Sequence, residues 1–346
     1  MTKKQSKLII RIMLLVGTLI SLAFVPWLLL KAWILPLPAT IQIQLDEAIS
    51  HGFDGIVVYV DQADTPPAFY SAGWHDREQQ IPADPKALFK IGSINKLYVA
   101  VAITKLIHNN SLSLDKTLAD YFPELMGTID NADSISLKMM VQHRSGIPNY
   151  TDSPNYWSYP VRSYQDTLEL IQDVPSNFAP DSDYEYSNTN YLLLAKLIEK
   201  TTGKTKFEYI QEHILIPLNL HNTFGSLSDV NMANLMGGYH LDVEENIKTV
   251  DYGTMLATAE DVGIFLRALN DGSVFKEGEK QIYSSIYHYE HGGWVPGYQS
   301  QANYYPDIDT VVIQFNNTTD SELYYWNLSQ IIFSRIEKIL INNQSE

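Results

Sequence analysis

The chain has 346 residues, 45% of them hydrophobic, which is enough for a real core in one large domain or two ordinary ones and excludes a disordered chain. It has no cysteine, which excludes disulfides, thiolate metal sites, a cysteine nucleophile and a lipid-modified N-terminal cysteine. The net charge is −16, yet residues 1–40 carry five basic side chains and no acidic one, so the remainder is close to −21; so acidic a surface argues against nucleic-acid binding and against lying flat on anionic lipid.

Lys3, Lys4, Lys7 and Arg11 precede an apolar run from Ile12 to Leu30. That length spans a hydrocarbon core of ~30 Å, and the charges keep residues 1–11 in the cytoplasm. The reading is an uncleaved signal anchor over 12–34. A cleaved signal peptide is the alternative, but Trp27, Lys31 and Trp33 stand where a small-residue cleavage site belongs. Residues 35–40, with Leu35-Pro36-Leu37-Pro38, read as a short stiff linker to a domain over 41–346.

Ile41–Ser50 reads as a helix. Phe53–Val60, rich in β-branched residues, reads as a buried strand, with Ala68–Trp74 as its hairpin partner. Lys90-Ile91-Gly92 leads into Ser93 and an apolar helix to about His108. From about 97 to 270 the pattern is mostly helical. Ser187–Thr202 has helical periodicity and stops at Gly203, and Thr258–Asn270 is amphipathic. Strands return at Gln299–Tyr305 and Thr310–Phe315, with a turn at Pro306-Asp307, and Leu323–Ile341 closes the chain as a helix. The economical fold is α+β: one antiparallel sheet built from both ends of the chain, flanked by helices, with a mostly helical inserted lobe.

Three short patterns carry chemistry. In Ser93-Ile94-Asn95-Lys96 a hydroxyl and an amine stand three apart where a helix begins, so they share a face. A lysine with a lowered pKa can take the serine proton and make a nucleophile of it. Tyr186-Ser187-Asn188 lies at a helix entrance. A phenol there relays protons when nearby cations lower its pKa, and an amide can hold both an ammonium and a substrate carbonyl. The same segment also reads as an ordinary helix cap. His291-Gly292-Gly293 precedes Trp294; its glycines let a substrate backbone approach a strand edge, or form a plain turn.

In this order the three patterns resemble the serine β-lactamase and penicillin-binding-protein superfamily, with His-x-Gly in place of the more familiar Lys-Thr-Gly. The likeness is greatest to the class C β-lactamase branch, which also holds D-alanyl peptidases, D-aminopeptidases and esterases. Leu88–Ser93, the segment Met139–Pro148 ending in His143-Arg144-Ser145-Gly146-Ile147-Pro148, Ile216–Leu220 and Gly253–Asp261 resemble further shared segments, so the likeness runs over about 41–320.

The resemblance implies roles. Ser93 is the acylated nucleophile, Lys96 its base, and Tyr186 the proton donor to the leaving group. Asn188 positions Lys96 and the substrate amide, and His291 stands for the third-motif lysine. Gly293 lies at the substrate edge, and the N–H groups of Ser93 and Trp294 form the oxyanion hole. No cofactor or metal is implied, His143 is structural, and no protein partner is expected. Histidine is mostly neutral at neutral pH, so Arg144 or Arg162 is the cation left for a substrate carboxylate. The expected function is a membrane-anchored extracytoplasmic serine hydrolase acting on D-alanyl peptides or esters of the cell envelope, with β-lactams as possible ligands. A class C-like β-lactamase, a general esterase and a non-catalytic penicillin-binding sensor or scaffold are the alternatives.

Overall fold

The computed structural model describes residues 3–158 and 163–344. Arg162 falls outside them. In chain order, α1 (Lys3–Ala23) projects with no buried residue along its apolar window, Lys4–Ala23, and is long and apolar enough to cross a membrane. The helix does not run on to residue 34. It stops before Pro26, which caps α2 (Trp27–Ile34); proline has no N–H to donate and its ring clashes with the preceding turn. Then come α3 (Ile41–Ser50), β1 (Gly55–Gln62), β2 (Ala68–Asp76), β3 (Ile81–Pro82) and β4 (Phe89–Lys90). The lobe follows, with α4 (Asn95–His108), α5 (Leu118–Tyr121), α6 (Leu137–Val141), α7 (Tyr164–Glu169), α8 (Asn188–Thr202) and α9 (Lys206–Ile210). It also contains β5 (Thr223–Phe224), β6 (Tyr239–His240), β7 (Leu256–Ala257) and α10 (Ala259–Asp271). The chain ends with α11 (Glu279–Ile286), β8 (His291–Val295), β9 (Tyr298–Tyr305), β10 (Thr310–Asn316), β11 (Thr318–Thr319) and α12 (Tyr324–Gln344).

The main sheet has the order β3-β2-β1-β10-β9-β8, with antiparallel neighbours. Strands from both ends of the chain meet at its centre, where Val58 pairs with Gln314. Side chains alternate across a strand. Ile56, Val58 and Val60 face Leu45 of α3 and Leu328, Ile332 and Ile336 of α12, whereas Val57 and Tyr59 face the core of α4 and α10. Both faces are covered, which is why β1 is apolar without alternation from Ile56 to Val60.

α2 packs on this domain. Ala32 is buried, and Leu28 and Leu29 pack on the α3–α12 cluster. The segment expected as a linker is pinned as well. The buried Arg335 of α12 donates to the carbonyls of Leu35 (2.8 Å) and Pro36 (2.9 Å) and to Gln44 Oε1 (2.5 Å).

Candidate active site

The turn that carries Ser93 is fixed before α4 begins. β4 pairs with β7, and Ile91 N–H donates to Met255 O at 3.1 Å. Gly92 then takes φ +54° and a single 3-10 turn, Gly92–Ile94, carries Ser93. Ser93 therefore stands just ahead of the α-helix rather than within its first turn. A side chain at 92 would be strained at that φ, and its Cβ would lie 2.8 Å from Trp294 N. α4 holds Lys96 with 4% exposure, its Nζ 3.1 Å from Ser93 Oγ.

α8 supplies the second wall. Tyr186 OH donates to Ser93 Oγ at 2.7 Å. Asn188 Oδ1 accepts from Lys96 Nζ at 2.8 Å. The amide is oriented from behind: Asn149 Oδ1 accepts from Asn188 N (2.9 Å) and Nδ2 (3.3 Å), and Thr151 Oγ1 from Nδ2 (3.2 Å). With its NH2 occupied there, Asn188 can only turn its oxygen to Lys96. Asn149 and Thr151 were not singled out by sequence; the one signal was their place directly after the His143–Pro148 segment. His143 is buried and structural: its Nδ1 accepts from Ser187 N–H (3.1 Å) and its ring stacks on Tyr186 at 4.5 Å. Burial, with Lys96 nearby, pushes its pKa down to about 3, so it is neutral.

The edge strand β8 is the third wall. Gly293 lets it touch the Ser93 turn, for a Cβ there would meet Ile91 O at 2.2 Å and Ser93 N at 3.0 Å. Ser300 Oγ also donates to Ile91 O (2.9 Å), which ties β9 to the same turn. His291 has both ring nitrogens engaged, Nδ1 with Gly292 O (2.5 Å) and Nε2 with Tyr287 OH (3.0 Å). Burial first, then the Lys96 charge, pushes its pKa down to about 3. It is neutral and cannot act as the cation that a third-motif lysine provides. Arg144 does not compensate, because it is paired with Asp181 at 2.5 Å.

The electrostatics divide the roles. Burial, helped by the Lys206 charge, lowers Lys96 to about 7, so a neutral amine is available near neutral pH. Tyr186 goes the other way from the sequence expectation: burial raises its pKa, and the phenol keeps its proton. The arrangement therefore offers an amine able to accept the Ser93 proton and a phenol able to give one. The cleft above them, about 1190 Å³, has an aromatic flank in which Trp157 contacts both Trp294 (5.4 Å) and Tyr252 (5.9 Å). Lys206 also lines it and was not among the residues expected. Among the described residues no cluster of three or more His, Asp or Glu could hold a metal ion.

A sheet made from both ends of the chain, covered by helices, with the serine–lysine–tyrosine cluster where it meets a helical lobe, is the architecture of the serine β-lactamase and penicillin-binding-protein superfamily. The chain belongs to its β-lactamase family, whose family model, described as Beta-lactamase, matches residues 37–285. Protein flp of Staphylococcus aureus (strain MW2) is 24% identical over 224 residues, covering 62% of this chain and 45% of its own length. The chain thus spans about half the length of that curated relative. Penicillin-binding protein 4* of Bacillus subtilis (strain 168) is 22% identical over 338 residues, covering 84% of this chain and 73% of its own. Among solved structures, the D-amino acid amidase of Ochrobactrum anthropi SV3 complexed with L-phenylalanine amide superposes with a TM-score of 0.77 at 19% identity, covering 88% of this chain and 98% of that one. A penicillin-binding protein from Bacillus halodurans gives 0.69 at 23% identity, covering 82% and 95%. Those neighbours are consistent with the class C-like branch.

Proposed function

We infer that this protein is a membrane-anchored extracytoplasmic serine hydrolase that acts through a Ser93 acyl-enzyme on D-aminoacyl amides, peptides or esters of the cell envelope. The observation that carries the reading is Ser93 Oγ held 3.1 Å from an amine of pKa about 7 and 2.7 Å from a protonated phenol. Neutral Lys96 takes the hydroxyl proton as Oγ attacks the carbonyl carbon. Charge on the carbonyl oxygen is met by the N–H groups of Ser93 and Trp294. As the tetrahedral intermediate collapses, Tyr186 protonates the departing nitrogen or oxygen and is re-protonated by the Lys96 ammonium. Water, deprotonated by the same amine, then releases the acid and restores Ser93.

Within that class, neutral His291 favours an amidase or esterase over a carboxypeptidase, because β8 presents no cation to a C-terminal carboxylate. The test follows the intact mass of the full chain in detergent with a penicillin and with D-phenylalanine amide, using Ser93→Ala as control. Turnover of the amide that is lost in Ser93→Ala supports the reading. A transient penicillin adduct with released product means a β-lactamase, and a lasting one a penicillin-binding protein. No adduct and no turnover on any acyl substrate sinks the hydrolase reading.

A further inference from the structure

The cleft holds a second lysine that the Ser93 chemistry does not use. Lys206, the first residue of α9, lines the same cleft as Ser93 and Lys96. It is half-buried, and among the described residues it has no hydrogen-bond, ion-pair or ring partner. Other buried or half-buried cations here are neutralised or capped. Lys105 pairs with Glu279 at 2.9 Å, Arg267 with Asp61 at 2.5 Å, and Lys90 donates to Val250 O at 2.6 Å. Taking an ammonium partly out of water without a countercharge is costly, and burial pushes the Lys206 pKa down accordingly. It also lies close enough to Lys96 for its charge to help depress that amine.

The surroundings say what kind of ligand would relieve this cost. Asn188, Leu192 and Ala195 line the cleft from one face of α8, spanning about 10 Å of helix. Leu192, Ala195 and Lys206 thus form an apolar wall with one cation in it. The acidic side chains on the cleft, Asp152 and Asp242, are exposed and already hydrogen-bonded, to Asn149 (2.9 Å) and Ser321 (2.6 Å). They repel anions from the rest of the rim. With His291 neutral and Arg144 paired elsewhere, Lys206 is the unpaired cation among the described residues of this cleft.

We propose that Lys206 is an anion-recognition residue, pairing with a carboxylate that the substrate carries a short apolar spacer away from the scissile carbonyl. The scissile carbonyl rests on the hydrolase reading above; the pairing itself does not. The helical wall, not the β8 edge, would then select acidic acyl compounds.

The test is calorimetry on the full chain in detergent, carrying Ser93→Ala to block turnover. The ligands are N-phenyl succinamic, glutaramic and adipamic acids and the methyl ester of each. One acid of the series should bind about tenfold or more tightly than its ester, the scale of a charge-assisted hydrogen bond. Adding Lys206→Met should erase that difference and leave ester binding unchanged, whereas Lys206→Arg should keep most of it. If Lys206→Met melts early, Lys206→Gln takes its place. Equal behaviour of acid and ester at all three lengths overturns the proposal, as does a preference that survives Lys206→Met. A nitrophenol burst from a nitrophenyl ester given to the Ser93 protein reports the hydrolase reading separately: no burst with the acid preference intact sinks that reading and leaves the subsite standing.

Discussion

Acylation of Ser93 should follow the titration of one buried amine. Lys96 is lowered from 10.5 to about 7, and only its neutral form accepts a proton. The rate should therefore climb with pH to about 7 and level off above it. With an ordinary lysine only about one molecule in three thousand would carry the neutral amine at pH 7, against about half here, roughly a thousandfold difference in available base. The sharpest perturbation is Asn188→Asp. It places a carboxylate where Asn188 Oδ1 now stands, 2.8 Å from Nζ. An opposite charge that close favours the ammonium and raises its pKa by ~1–3 units. A shift of ~2 units leaves about fifty times fewer neutral amines at pH 7, and the loss should be recovered near pH 10. Asn188→Ala adds no charge, so its loss should be nearly independent of pH. The assay is the pre-steady-state burst from a nitrophenyl ester between pH 5 and 10, read at an isosbestic wavelength. A burst rate that is flat across that range, or that inflects above pH 9 in the unsubstituted protein, would refute the assignment of Lys96 as base. An Asn188→Asp limb that does not move would refute the geometry.

Other expectations follow from the same contacts. Tyr186→Phe removes the 2.7 Å hydrogen bond to Ser93 and should cut acylation by amide substrates ~100-fold or more. Good leaving groups such as nitrophenol should be affected far less, since they depart without a proton; paired amide and ester rates check this. Lys96→Met should abolish the burst yet raise stability at pH 7. The folded pKa lies below the unfolded one, so folding works against the ammonium; that cost is absent above pH 10.5 and grows as pH falls to about 7. After loss of the Asn188 and Ser93 contacts the net gain should be about 2 kcal/mol, measured as a higher denaturant midpoint at pH 7 and a smaller difference at pH 10. Gly293→Ala puts a Cβ 2.2 Å from Ile91 O, so β8 must move off the nucleophile turn. The burst should fall at least tenfold while far-ultraviolet circular dichroism is unchanged; a full burst would mean that the strand does not shape the site.

Arg335→Met tests whether the N-terminal stem belongs to the domain. The guanidinium is buried and holds the Leu35 and Pro36 carbonyls, and losing it leaves two partly buried acceptors unpaired at ~1–3 kcal/mol each. Limited proteolysis of the full chain should then cut within 35–40 well before the rest unfolds. Equal protection in both proteins would mean that the carbonyl contacts contribute nothing.

How much of this the sequence carried depends on the range of the interaction. β1 was legible because two helical layers make its run from Ile56 to Val60 apolar without a break. α8 was legible because its stripe is local and Gly203 ends it at φ +72°. Ser93 and Lys96 needed only three residues of spacing, and the single 3-10 turn under Ser93 did not disturb it. What escaped was set by distant partners. Pro26 breaks the apolar run, but nothing near it shows that the downstream piece docks on α12 through an arginine 300 residues from Leu35. Asn149 and Thr151 act on Asn188 across gaps of 39 and 37 residues with no period to reveal them. The charge states at the site have one cause. Nearby cations alone would lower the Tyr186 pKa, and an ordinary imidazole would leave His291 mostly neutral; burial dominates both and favours the neutral form of each, which reverses the first expectation and reinforces the second. The same burial lowers Lys96. Burial at a single junction between sheet and lobe therefore keeps the phenol protonated, the histidine neutral and the lysine able to lose its proton, and the proposed acylation of Ser93 depends on the first and last of these.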